Sequence, residues 1–579
     1  MDTTSFHYIN SPPDNDLCQK LAQEMNIPYG VAVLLCRKGL GDKKEASAFL
    51  YPRLADLPSP FLMKDMDRAV DLVLQTYKQQ GLILIHGDYD VDGISGTALL
   101  SLFFTSLGIT TICFQPNRLT EGYGLQKSII EQHCPANNTA ALLITVDCGI
   151  SAHDEVFFAR ESGYNVIITD HHLPPATLPE AEAILNPKQQ ECLFPYEDLA
   201  GVGVAFFLAM GIRNRMVEQG LINKNNAPKL KDLLSLVALG TVADVMPLTD
   251  INRILVKAGL EVISKRSVPW TWALCERAGL KEGAVTAENI SFRLAPRINA
   301  PGRLGEPESA FRLLTSSDTV NAIELADNLE TINQERRQLE LDTIEKVLRE
   351  CTLQDNKGYR GLVVYGNYHP GIIGVIASRI VDKFHKPAII FTDDTTGSDI
   401  LKGSGRSIEQ INLYETLKEC SDTLIQFGGH AMAAGLTIKK EVLPQFIEEF
   451  NLAVPETGDS PDKLQARVVN LDYNGDKWEI FDSRFFHYYQ LMEPFGNGNP
   501  EPVFLLTNQE MSRVSVVAAH LKYSVNVNGK TFRGIGFGMA DKLNMVQNNP
   551  VDLLFKLRKN VYRGEEYIEF HAVDIVAAE

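Results

Sequence analysis

The stretch from Leu82 to Leu100, LILIHGDYDVDGISGTALL, constrains the fold more than any other part of this sequence. Its first four residues are apolar, which predicts a buried strand. Four side chains able to bind metal follow at once: His86, Asp88, Asp90 and Asp92. Gly93 then opens an apolar helix. Like charges this close repel one another unless a cation neutralises them, and carboxylate and imidazole ligands suit Mg²⁺ or Mn²⁺. The stretch therefore predicts a metal site.

Two other interpretations of this loop compete with that one. Asp-x-Asp-x-Asp-Gly also begins an EF-hand loop, but an EF-hand has a bidentate Glu at its twelfth position, and counting from Asp88 puts Leu99 there. The loop also follows a strand rather than a helix, so the EF-hand fails. The second alternative is a solvated acidic turn, which is the more common explanation of an isolated Asp-rich loop. The rest of the chain has to decide against it.

Length and composition set broad limits. At 579 residues the chain exceeds one hydrophobic core and should divide into about three or four domains. Its 45% hydrophobic and 22% charged residues are typical of a globular protein. The formal charge of −18 would repel nucleic acid unless basic residues gather locally or a bound metal reverses the field. Net charge is therefore weak evidence against a polyanionic substrate.

The cysteines and the N-terminal segment indicate a compartment. The nine cysteines are scattered and never in Cys-x-x-Cys spacing, which predicts reduced thiols and no thiolate zinc site. The first residues, MDTTSFHYINSPPDND, lack the basic start and apolar core of a signal peptide. No run approaches the ~18 apolar residues that a membrane span needs. We therefore expect a cytoplasmic protein that does not contact a membrane.

Strand and helix patterns alternate from residue 63 onward. Apolar runs predict strands at 82–85, 111–114, 142–146 and 166–169, with helical patterns between them. This alternation predicts a parallel sheet with helices on both faces, and in such sheets ligands lie beyond the carboxyl ends of the strands.

Acids and histidines follow these strands at the predicted ligand edge. The side chains after the last two strands are Asp147, Asp170, His171 and His172. A further acid, Asp244, lies in the apolar run LLSLVALGTVADVMPL, where a charge is costly unless it is paired or bound to a metal. Alone, an acid after a strand is commonly a helix cap, and Asp244 alone is as well explained by a partly exposed turn. Three strand ends carrying such groups together are hard to explain that way.

The order of these motifs resembles that of the DHH phosphoesterases. The matching residues are Asp90-x-Asp92-Gly93, Asp147, Asp170-His171-His172 and Asp244. Further stretches resemble the RecJ branch of that family: PNRLTEGYG (116–124), LAGVGVAF (199–206), PRINAPGR (296–303), HPGIIGVIASR (369–379), GSGR (403–406) and FGGHAMAAGLT (427–437). Two departures are small: Pro301 stands where the family usually has Ala, and Tyr368-His369-Pro370 replaces Trp-His-Gln. Pro301 is expected to shape a loop that presents Arg303.

The resemblance covers nearly the whole chain and implies a function. The expected enzyme degrades single-stranded DNA from 5′ to 3′ to mononucleotides, in DNA recombination and in repair, including mismatch repair. Within the family, a hydrolase of short oligonucleotides or cyclic dinucleotides is the nearest alternative. A non-catalytic DNA-binding scaffold with the same fold is an alternative of another class. The resemblance also suggests contact with single-strand binding protein and a helicase, and we expect a monomer.

Two divalent cations, Mn²⁺ or Mg²⁺, are the expected cofactors. The expected ligands are His86, Asp88, Asp90, Asp92, Asp147, His171 and Asp244. Asp147, central in the motif order, is expected to bridge the ions. Asp90 with either Asp88 or His86 would serve one ion, and Asp92, His171 and Asp244 the other, although the sequence does not assign each ligand to an ion. His172 would contact the scissile phosphate or support a ligand, so Asp147, His172 and Asp92 are the expected catalytic residues.

A separate set of side chains is expected to bind the DNA. Its members are Arg118, Tyr123, Arg297, Asn299, Arg303, Ser378, Arg379, Arg406 and His430. By resemblance, Arg118, Ser378, Arg379 and one of Arg297 or Arg303 would hold the 5′ phosphate, because a guanidinium fork suits phosphate. Tyr123 would stack on a base or block a duplex.

The expected fold class is α/β: two α/β domains joined by a long helix, followed by an OB-like β-barrel. The predicted order is a helical lead-in (1–60), the metal-binding DHH domain (61–318), the connecting helix (319–352), the phosphate-binding DHHA1 domain (353–452), a linker (453–465) and the barrel (466–579). Glu335, Arg336 and Arg337 are expected to be solvated on the helix. In the barrel, Lys522 and Arg533 beside aromatic residues such as Tyr523 and Phe555 have the composition of a single-strand track, or of a solvated face over an aromatic core.

Overall fold

The chain forms two compact units, each built from more than one segment. The computed structural model describes residues 14–118, 121–122, 124–135, 140–394, 399–456, 468–470, 483–527, 529–562 and 565–578. The first unit combines described residues of Met1–Leu57, Pro247–Ile254 and Ser460–Glu579, and the second those of Pro58–Met246 and Leu255–Asp459. None of the described helices is both long and apolar enough to cross a bilayer.

The described residues of the predicted helical lead-in form three α-helices. They are α1 (Asn15–Met25), α2 (Tyr29–Arg37) and α3 (Lys43–Leu50). Asp14 caps α1 and Asp42 caps α3, each by accepting hydrogen bonds from backbone N–H groups of the first turn. Helix α2, YGVAVLLCR, is apolar around most of its circumference, so this buried helix shows no amphipathic period in the sequence.

A five-stranded parallel sheet forms the centre of the metal-binding half of the second unit. Its strands are β1 (Leu82–Gly87), β2 (Thr111–Phe114), β3 (Ala141–Val146), β4 (Asn165–Thr169) and β5 (Ala183–Leu185). The order is β2-β1-β3-β4-β5 and every neighbouring pair is parallel. Gly87 pairs with Val146, and Val146 pairs with Thr169, so three strands end at the same level. The residues that follow them are therefore brought together at one edge.

Helices surround this sheet and continue beyond it. They are α4 (Met66–Lys78), α5 (Val91–Ser106), α6 (Lys127–Gln132), α7 (His153–Glu161), α8 (Gly201–Glu218), α9 (Leu234–Ala243), α10 (Asp250–Lys265), α11 (Pro269–Arg277), α12 (Ala287–Asn289), α13 (Ala295–Leu304) and α14 (Glu308–Leu314). Helices α5, α8 and α9 are buried along most of their length and pack against one another beside the sheet. This explains why their sequences are apolar on all sides.

The segment around Pro301 is a helix, so the predicted loop that presents Arg303 is wrong. Helix α13 follows a π-helical turn (Ile290–Leu294) and contains Pro301 in its interior. Pro and Gly in PRINAPGR are loop signals, because proline has no N–H to donate within a helix. Here Ala300, Pro301 and Gly302 are all buried, and this tertiary packing outweighs the local preference.

A single helix of 38 residues, α15 (Thr319–Asn356), leads to the second α/β region. The elements that follow are β6 (Leu362–Tyr365), α16 (Ile373–Phe384), β7 (Ala388–Asp393), β8 (Ile400–Arg406), α17 (Leu413–Glu419), β9 (Gln426–Gly429), β10 (Ala433–Lys439) and α18 (Leu443–Ala453). The sheet order is β6-β7-β8-β10-β9, with only β6 and β7 parallel. A mixed α/β chain with a parallel sheet was predicted and is confirmed.

The C-terminal region is a seven-stranded, mostly antiparallel sheet. Its elements are β11 (Val468–Asn470), α19 (Ser483–Leu491), β12 (Val503–Gln509), β13 (Met511–Val517), β14 (His520–Val527), β15 (Lys530–Gly536), α20 (Leu543–Asn548), β16 (Val551–Tyr562) and β17 (Glu565–Ala577). The strand order is β11-β12-β16-β17-β15-β14-β13.

The aromatic side chains of this sheet form a core rather than a stacking surface. Tyr523 is 2% exposed and Phe555 is fully buried. The ring of Phe570 stacks on Phe555 at 4.2 Å and on Phe532 at 4.9 Å between centroids. Tyr523 and Phe555 therefore do not present a face to bases, and the alternative of a solvated strand face over an aromatic core is the correct one for them.

The N-terminal helices share this core. Leu34 and Leu35 of α2 belong to one buried cluster with Phe485 of α19 and Phe504 of β12. Arg253, from the middle of the chain, is also buried there: its Nε donates to the carbonyl of Phe49 at 2.8 Å, and its Nη2 donates to the carbonyl of Leu491 at 2.9 Å. The lead-in is therefore part of the first unit and not a separate layer.

Replacing Arg253 by Ala is expected to destabilise the first unit. The guanidinium lies 3.8 Å from the centroid of the Phe49 ring and burial lowers its pKa to about 9, so its hydrogen bonds form in a dry environment. Removing it takes one hydrogen-bond donor from each of the carbonyls of Phe49 and Leu491, at a cost of about 2–4 kcal/mol. In urea denaturation of Arg253→Ala, the transition that unfolds the first unit should move to a lower urea concentration. Lys265→Ala, at the end of the same helix, is the control and should leave it in place.

Candidate metal centre

Three strand ends deliver the polar side chains of the metal centre. Asp88 follows β1, Asp147 follows β3, and Asp170, His171 and His172 follow β4. Asp147 has a φ of +61°, a backbone conformation that few residues other than glycine adopt and that turns the chain sharply at the strand end. Such strain persists where the surrounding structure holds it, and it is common at functional sites.

The acids and histidines form three groups whose ligand atoms lie within 4.8 Å of one another. The groups are Asp88, Asp90 and Asp147; Asp92, His171 and Asp244; and Asp147, His171 and His172. The Nε2 atom of His171 lies 3.0 Å from Asp147 Oδ1 and 3.5 Å from Asp244 Oδ2. Asp147 and His171 each belong to two groups, which is the arrangement expected when neighbouring ions share a ligand.

The protein environment makes these carboxylates costly to ionise without a cation. Burial, together with the charges of neighbouring carboxylates, raises the pKa of Asp88, Asp92 and Asp147 well above the usual range. Burial and the charge of Asp90 raise the pKa of Asp244 to about 7. Among the described residues, Asp88 Oδ1 and Asp244 Oδ2 are buried without a hydrogen-bond partner. Oxygen-rich ligands with unsatisfied buried atoms fit Mn²⁺ or Mg²⁺.

Asp170 accepts hydrogen bonds from three backbone N–H groups and lies beside the ring of His172. Its carboxylate accepts from the backbone N–H groups of Ile150 at 3.0 Å, His171 at 2.7 Å and His172 at 3.1 Å. Nδ1 of His172 also lies 2.7 Å from it. These contacts make Asp170 the residue that orients His172. The sequence shows Asp170 in the motif but gives no signal that separates this role from metal binding.

Two glycines let backbone approach the metal ligands, a role that the sequence analysis missed. A Cβ atom at Gly201 would lie 2.6 Å from the Cβ of Asp147, and one at Gly240 would lie 2.7 Å from Asp92 Oδ1. The N-terminus of α8 holds Asp92 directly, because the N–H groups of Gly201 and Val202 donate to its two oxygens at 2.6 and 3.0 Å. The positive end of that helix also stabilises the carboxylate. The sequence gives no sign of this role beyond the motif LAGVGVAF, which contains Gly201.

His86 lies outside the three groups. Burial lowers its pKa to about 4, so the ring is neutral, and its Nε2 accepts the backbone N–H of Gln126 at 3.3 Å. Its other ring nitrogen, Nδ1, is buried and accepts no hydrogen bond from the described residues. Of the two candidates left open for one ion, Asp88 or His86, the structure brings Asp88 to Asp90 and Asp147.

A cavity of about 350 Å³ opens over the metal groups. Asp88, Asp90, Asp147, His172 and Asp244 line it. Arg118, Asn299 and Arg303 also line it, so acids, cationic groups and an amide share the same space. A phosphodiester next to metal ions and guanidinium groups is the chemistry that such a cavity suits.

The arginines near the cavity are close enough to repel one another. Burial, then the charges of Arg118 and Arg336, lowers the pKa of Arg303 to about 10, and burial and Arg118 lower that of Arg406. Arg406 Nη2 lies 3.0 Å from where a Cβ would stand on Gly374, in the first turn of α16. Ser378 follows one turn later on this helix and donates to the carbonyl of Gly374 at 3.2 Å. Guanidinium groups gathered at a helix N-terminus form an environment that favours an anion.

Other predicted DNA-binding residues have different surroundings. Arg297 is buried and paired with Glu330 at 2.5 Å, and its Nη1 donates to the carbonyl of Arg293 at 2.5 Å, so it does not join Arg303 at the cavity. Arg379 pairs with Glu340 at 2.6 Å and its side chain is half-exposed. His430 is exposed after β9, outside the cavity lining. Tyr123 lies outside the described residues.

The fold and the motifs at its strand ends define a protein of the DHH class, and family models agree. The model described as DHH family, N-terminal domain, matches residues 82–241, the DHHA1 domain matches 358–456, and the RecJ OB domain matches 477–574. The last match confirms the predicted OB-like barrel.

Several proteins of known name are similar over most of the chain. The single-stranded-DNA-specific exonuclease RecJ of Escherichia coli K12 is 37% identical over 528 residues, which cover 88% of this chain and 89% of that protein. The RecJ of Bacillus subtilis 168 is 34% identical over 533 residues, 91% of this chain, and the chain spans 65% of that relative's length. The crystal structure of Thermus thermophilus RecJ with Mn²⁺ superimposes with a TM-score of 0.81 at 29% identity, covering 99% of this chain and 79% of the other.

This chain belongs to the RecJ family. The Thermus thermophilus protein has also been solved with Mg²⁺, and that structure matches with a TM-score of 0.75 at 29% identity, covering 99% of this chain and 78% of the other. Together with the acid and histidine groups, these structures identify the cofactors as divalent cations, Mn²⁺ or Mg²⁺.

Proposed function

We propose that this chain is a metal-dependent exonuclease that degrades single-stranded DNA from its 5′ end to mononucleotides, in DNA repair and recombination. The observation that carries the proposal is the cavity that members of the acid and histidine groups line together with Arg118 and Arg303. A phosphodiester bond that is cut beside the metal ions has its neighbouring phosphate within reach of cationic side chains. Family membership supplies the substrate and the direction.

Each group of ligands has a proposed task. Asp88, Asp90 and Asp147 hold one ion, and Asp92, His171 and Asp244 hold a second ion that shares Asp147. When bound, such ions lower the pKa of a coordinated water and neutralise charge on the phosphoryl oxygens. Asp170 fixes Nδ1 of His172 at 2.7 Å, so the other nitrogen of that ring is the one that contacts the scissile phosphate.

The arginines are proposed to recognise the 5′ end. Arg118 and Arg303 line the cavity. In the DHHA1 domain, Arg406 lies beside the first turn of α16, and Ser378 and Arg379 lie in the middle of that helix. Their cationic groups hold the terminal phosphate, and Asn299 contacts the nucleotide next to it. His430, exposed after β9, is proposed to contact the DNA strand. Tyr123, which lies outside the described residues, is still proposed to stack on a base or block a duplex.

The barrel is proposed to hold the rest of the strand through charge. Lys522 on β14 and Arg533 on β15 are exposed. The strand pairing places Lys556 of β16 in the same cross-strand row as Lys522, and Arg558 of β16 in the same row as Arg533. Lys556 and Arg558 are partly balanced by Glu501. Because Tyr523 and Phe555 are buried, this face of the barrel is proposed to contact mainly the phosphate backbone of the DNA rather than its bases.

Digestion of DNA labelled at either end tests the proposed function. Long single strands should release mononucleotides from the 5′ end with Mn²⁺ or Mg²⁺, and neither chelator-treated enzyme nor duplex DNA should support release. A preference for dinucleotides or cyclic dinucleotides over long strands would identify a small-substrate phosphodiesterase instead. Binding of strands without hydrolysis under every metal condition would identify a scaffold.

Family membership alone supports three further proposals. They are contact with single-strand binding protein, contact with a helicase, and a monomeric state. A cytoplasmic location is also proposed, and the nine free cysteines support it because they suit a reducing compartment. Light scattering of the purified protein measures its oligomeric state, and light scattering of its mixture with single-strand binding protein measures whether the two bind.

A further inference from the structure

The long helix α15 carries a buried acid that the proposed function does not use. Glu340 is fully buried, at a position of α15 in register with the apolar residues Val347 and Cys351 on the inward face. Asn333, two turns earlier, is fully buried as well. A buried carboxylate lowers stability unless cationic partners compensate for its lost hydration, so its position among apolar neighbours calls for a specific explanation.

Two arginines bind the two oxygens of Glu340 separately. Nη1 of Arg336 contacts Oε1, and Nη2 of Arg379 donates to Oε2 at 2.6 Å. Arg336 is held from its other side, since its Nη2 donates to Oδ1 of Asn333 at 3.0 Å. The expected solvation of Arg336 is therefore wrong: only 11% of its side chain is exposed, because it packs against its own helix to reach both acceptors.

This network connects α15 with the arginines of the proposed phosphate pocket. Arg379 lies on α16, one residue after Ser378, and 45% of its side chain is exposed, so one edge of its guanidinium is bound by Glu340 while the rest stays accessible. The charges of Arg336 and Glu340 also act on the pKa of Arg303 at the cavity: Arg336 lowers it and Glu340 raises it. Arg303 Nη1 also donates to the carbonyl of Gly371 at 3.3 Å, just before α16. Glu340 thus stands among the cations that are proposed to meet the DNA end.

We propose that Glu340 is a positioning residue that fixes Arg379 for a terminal 5′ phosphate and so sets the preference for phosphorylated over hydroxyl ends. The inference rests on the proposed function. A guanidinium has five N–H donors in a rigid fork, so one edge bound to Glu340 leaves others directed at an anion. A fixed fork binds a phosphate more tightly than a mobile one, because no side-chain entropy is lost on binding. A 5′ hydroxyl offers it no charge.

Glu340→Gln tests this role, with Glu330→Gln as its matched control. Gln keeps the volume of the side chain and removes the charge that holds two arginines. Glu330 lies on the same helix and pairs with Arg297 instead, away from Arg379. Equilibrium binding is measured with chelator present, on otherwise identical single strands that carry a 5′ phosphate or a 5′ hydroxyl. Degradation of both strands with Mn²⁺ and the thermal midpoint are measured in parallel.

The expected result is a selective loss. In Glu340→Gln the Kd for the phosphorylated strand should rise about tenfold, the worth of one charge-assisted hydrogen bond, while the Kd for the hydroxyl strand stays within about twofold. Glu330→Gln should keep the wild-type ratio of the two Kd values. An equal loss for both strands would show a merely structural role, and tighter binding of both would show that Glu340 only reduces positive charge. Either result overturns the inference.

The same experiment separates this inference from the proposed function. A wild-type protein that degrades single strands but binds both ends equally would overturn the role of Glu340 and leave the exonuclease in place. A wild-type protein that distinguishes the ends in binding but degrades neither strand would overturn the exonuclease and leave the phosphate pocket.

Discussion

Replacing Asp147 by Asn is expected to lower kcat/KM by about 10³-fold or more, because it removes metal-dependent stabilisation worth several kcal/mol. Asp147 belongs to two of the three ligand groups, so its loss weakens both proposed ion positions at once. Asn keeps the volume but supplies one neutral oxygen instead of a shared carboxylate. Calorimetric titration with Mn²⁺ should show greatly weakened binding, and the digestion assay should show the loss of rate.

The stability of the same variant should move in the opposite direction. In metal-free wild type, burial and neighbouring carboxylates raise the pKa of Asp147, so its ionisation opposes folding at neutral pH. Asn carries no charge, and the thermal midpoint in chelator should therefore rise, while added Mn²⁺ should no longer raise it further. Asp154→Asn, an exposed acid on α7, is the control and should behave as wild type. Unchanged Mn²⁺ affinity in Asp147→Asn would refute the assignment.

Replacing Asp170 by Asn is expected to lower kcat by about 10²-fold while Mn²⁺ affinity changes little, as for residues that orient a catalytic group. The carboxylate accepts three backbone N–H groups and contacts Nδ1 of His172. An amide can present only one oxygen to these donors, so the ring of His172 loses its fixed orientation. Steady-state kinetics at saturating Mn²⁺ and a separate metal titration measure the two effects.

A double-mutant cycle separates this role from a general loss of structure. His172→Gln should reduce kcat to a similar extent, and the double variant should be little worse than either single variant, because both changes remove the same contact. Additive losses would mean that Asp170 acts independently of His172. A strong loss of Mn²⁺ affinity in Asp170→Asn would make Asp170 a metal ligand.

Much of the fold follows from local sequence patterns. Strand β2 lies at 111–114 as predicted, because its apolar run is short and bounded by turn residues. Parallel order alone explains why Asp147 and His171, far apart in sequence from Asp92, meet at one edge. The roles of individual site residues and the domain boundaries stay predictions.

The choice between Arg297 and Arg303 required knowledge of a helix that the sequence hides. Read as a loop, PRINAPGR gives no reason to prefer either arginine. On helix α13, side chains six residues apart point in directions about 120° apart, so only one of them can face the cavity. Asn299 and Arg303 are four apart and share a face, and both line it. Arg297 faces Glu330 instead.

In the barrel, too, the sequence does not show which side of an element is buried, although here the side chains alternate every two residues. Side chains alternate between the faces of a strand, so Lys522 and Tyr523 point to opposite sides, as do Phe555 and Lys556. The sequence gives the alternation but does not say which side is buried when both kinds of residue are amphipathic. The stacked core around Phe570 decides it.

The discontinuous make-up of the first unit has a consequence for how the protein is made. Helices α1 to α3 emerge early from the ribosome, yet the aromatic residues they pack against, such as Phe485 and Phe504, are among the last to be translated. At usual elongation rates this delay is on the order of tens of seconds. Throughout that time the apolar surface of α2 lacks its native cover, so chaperone binding to the nascent N-terminal segment should accompany synthesis of this chain.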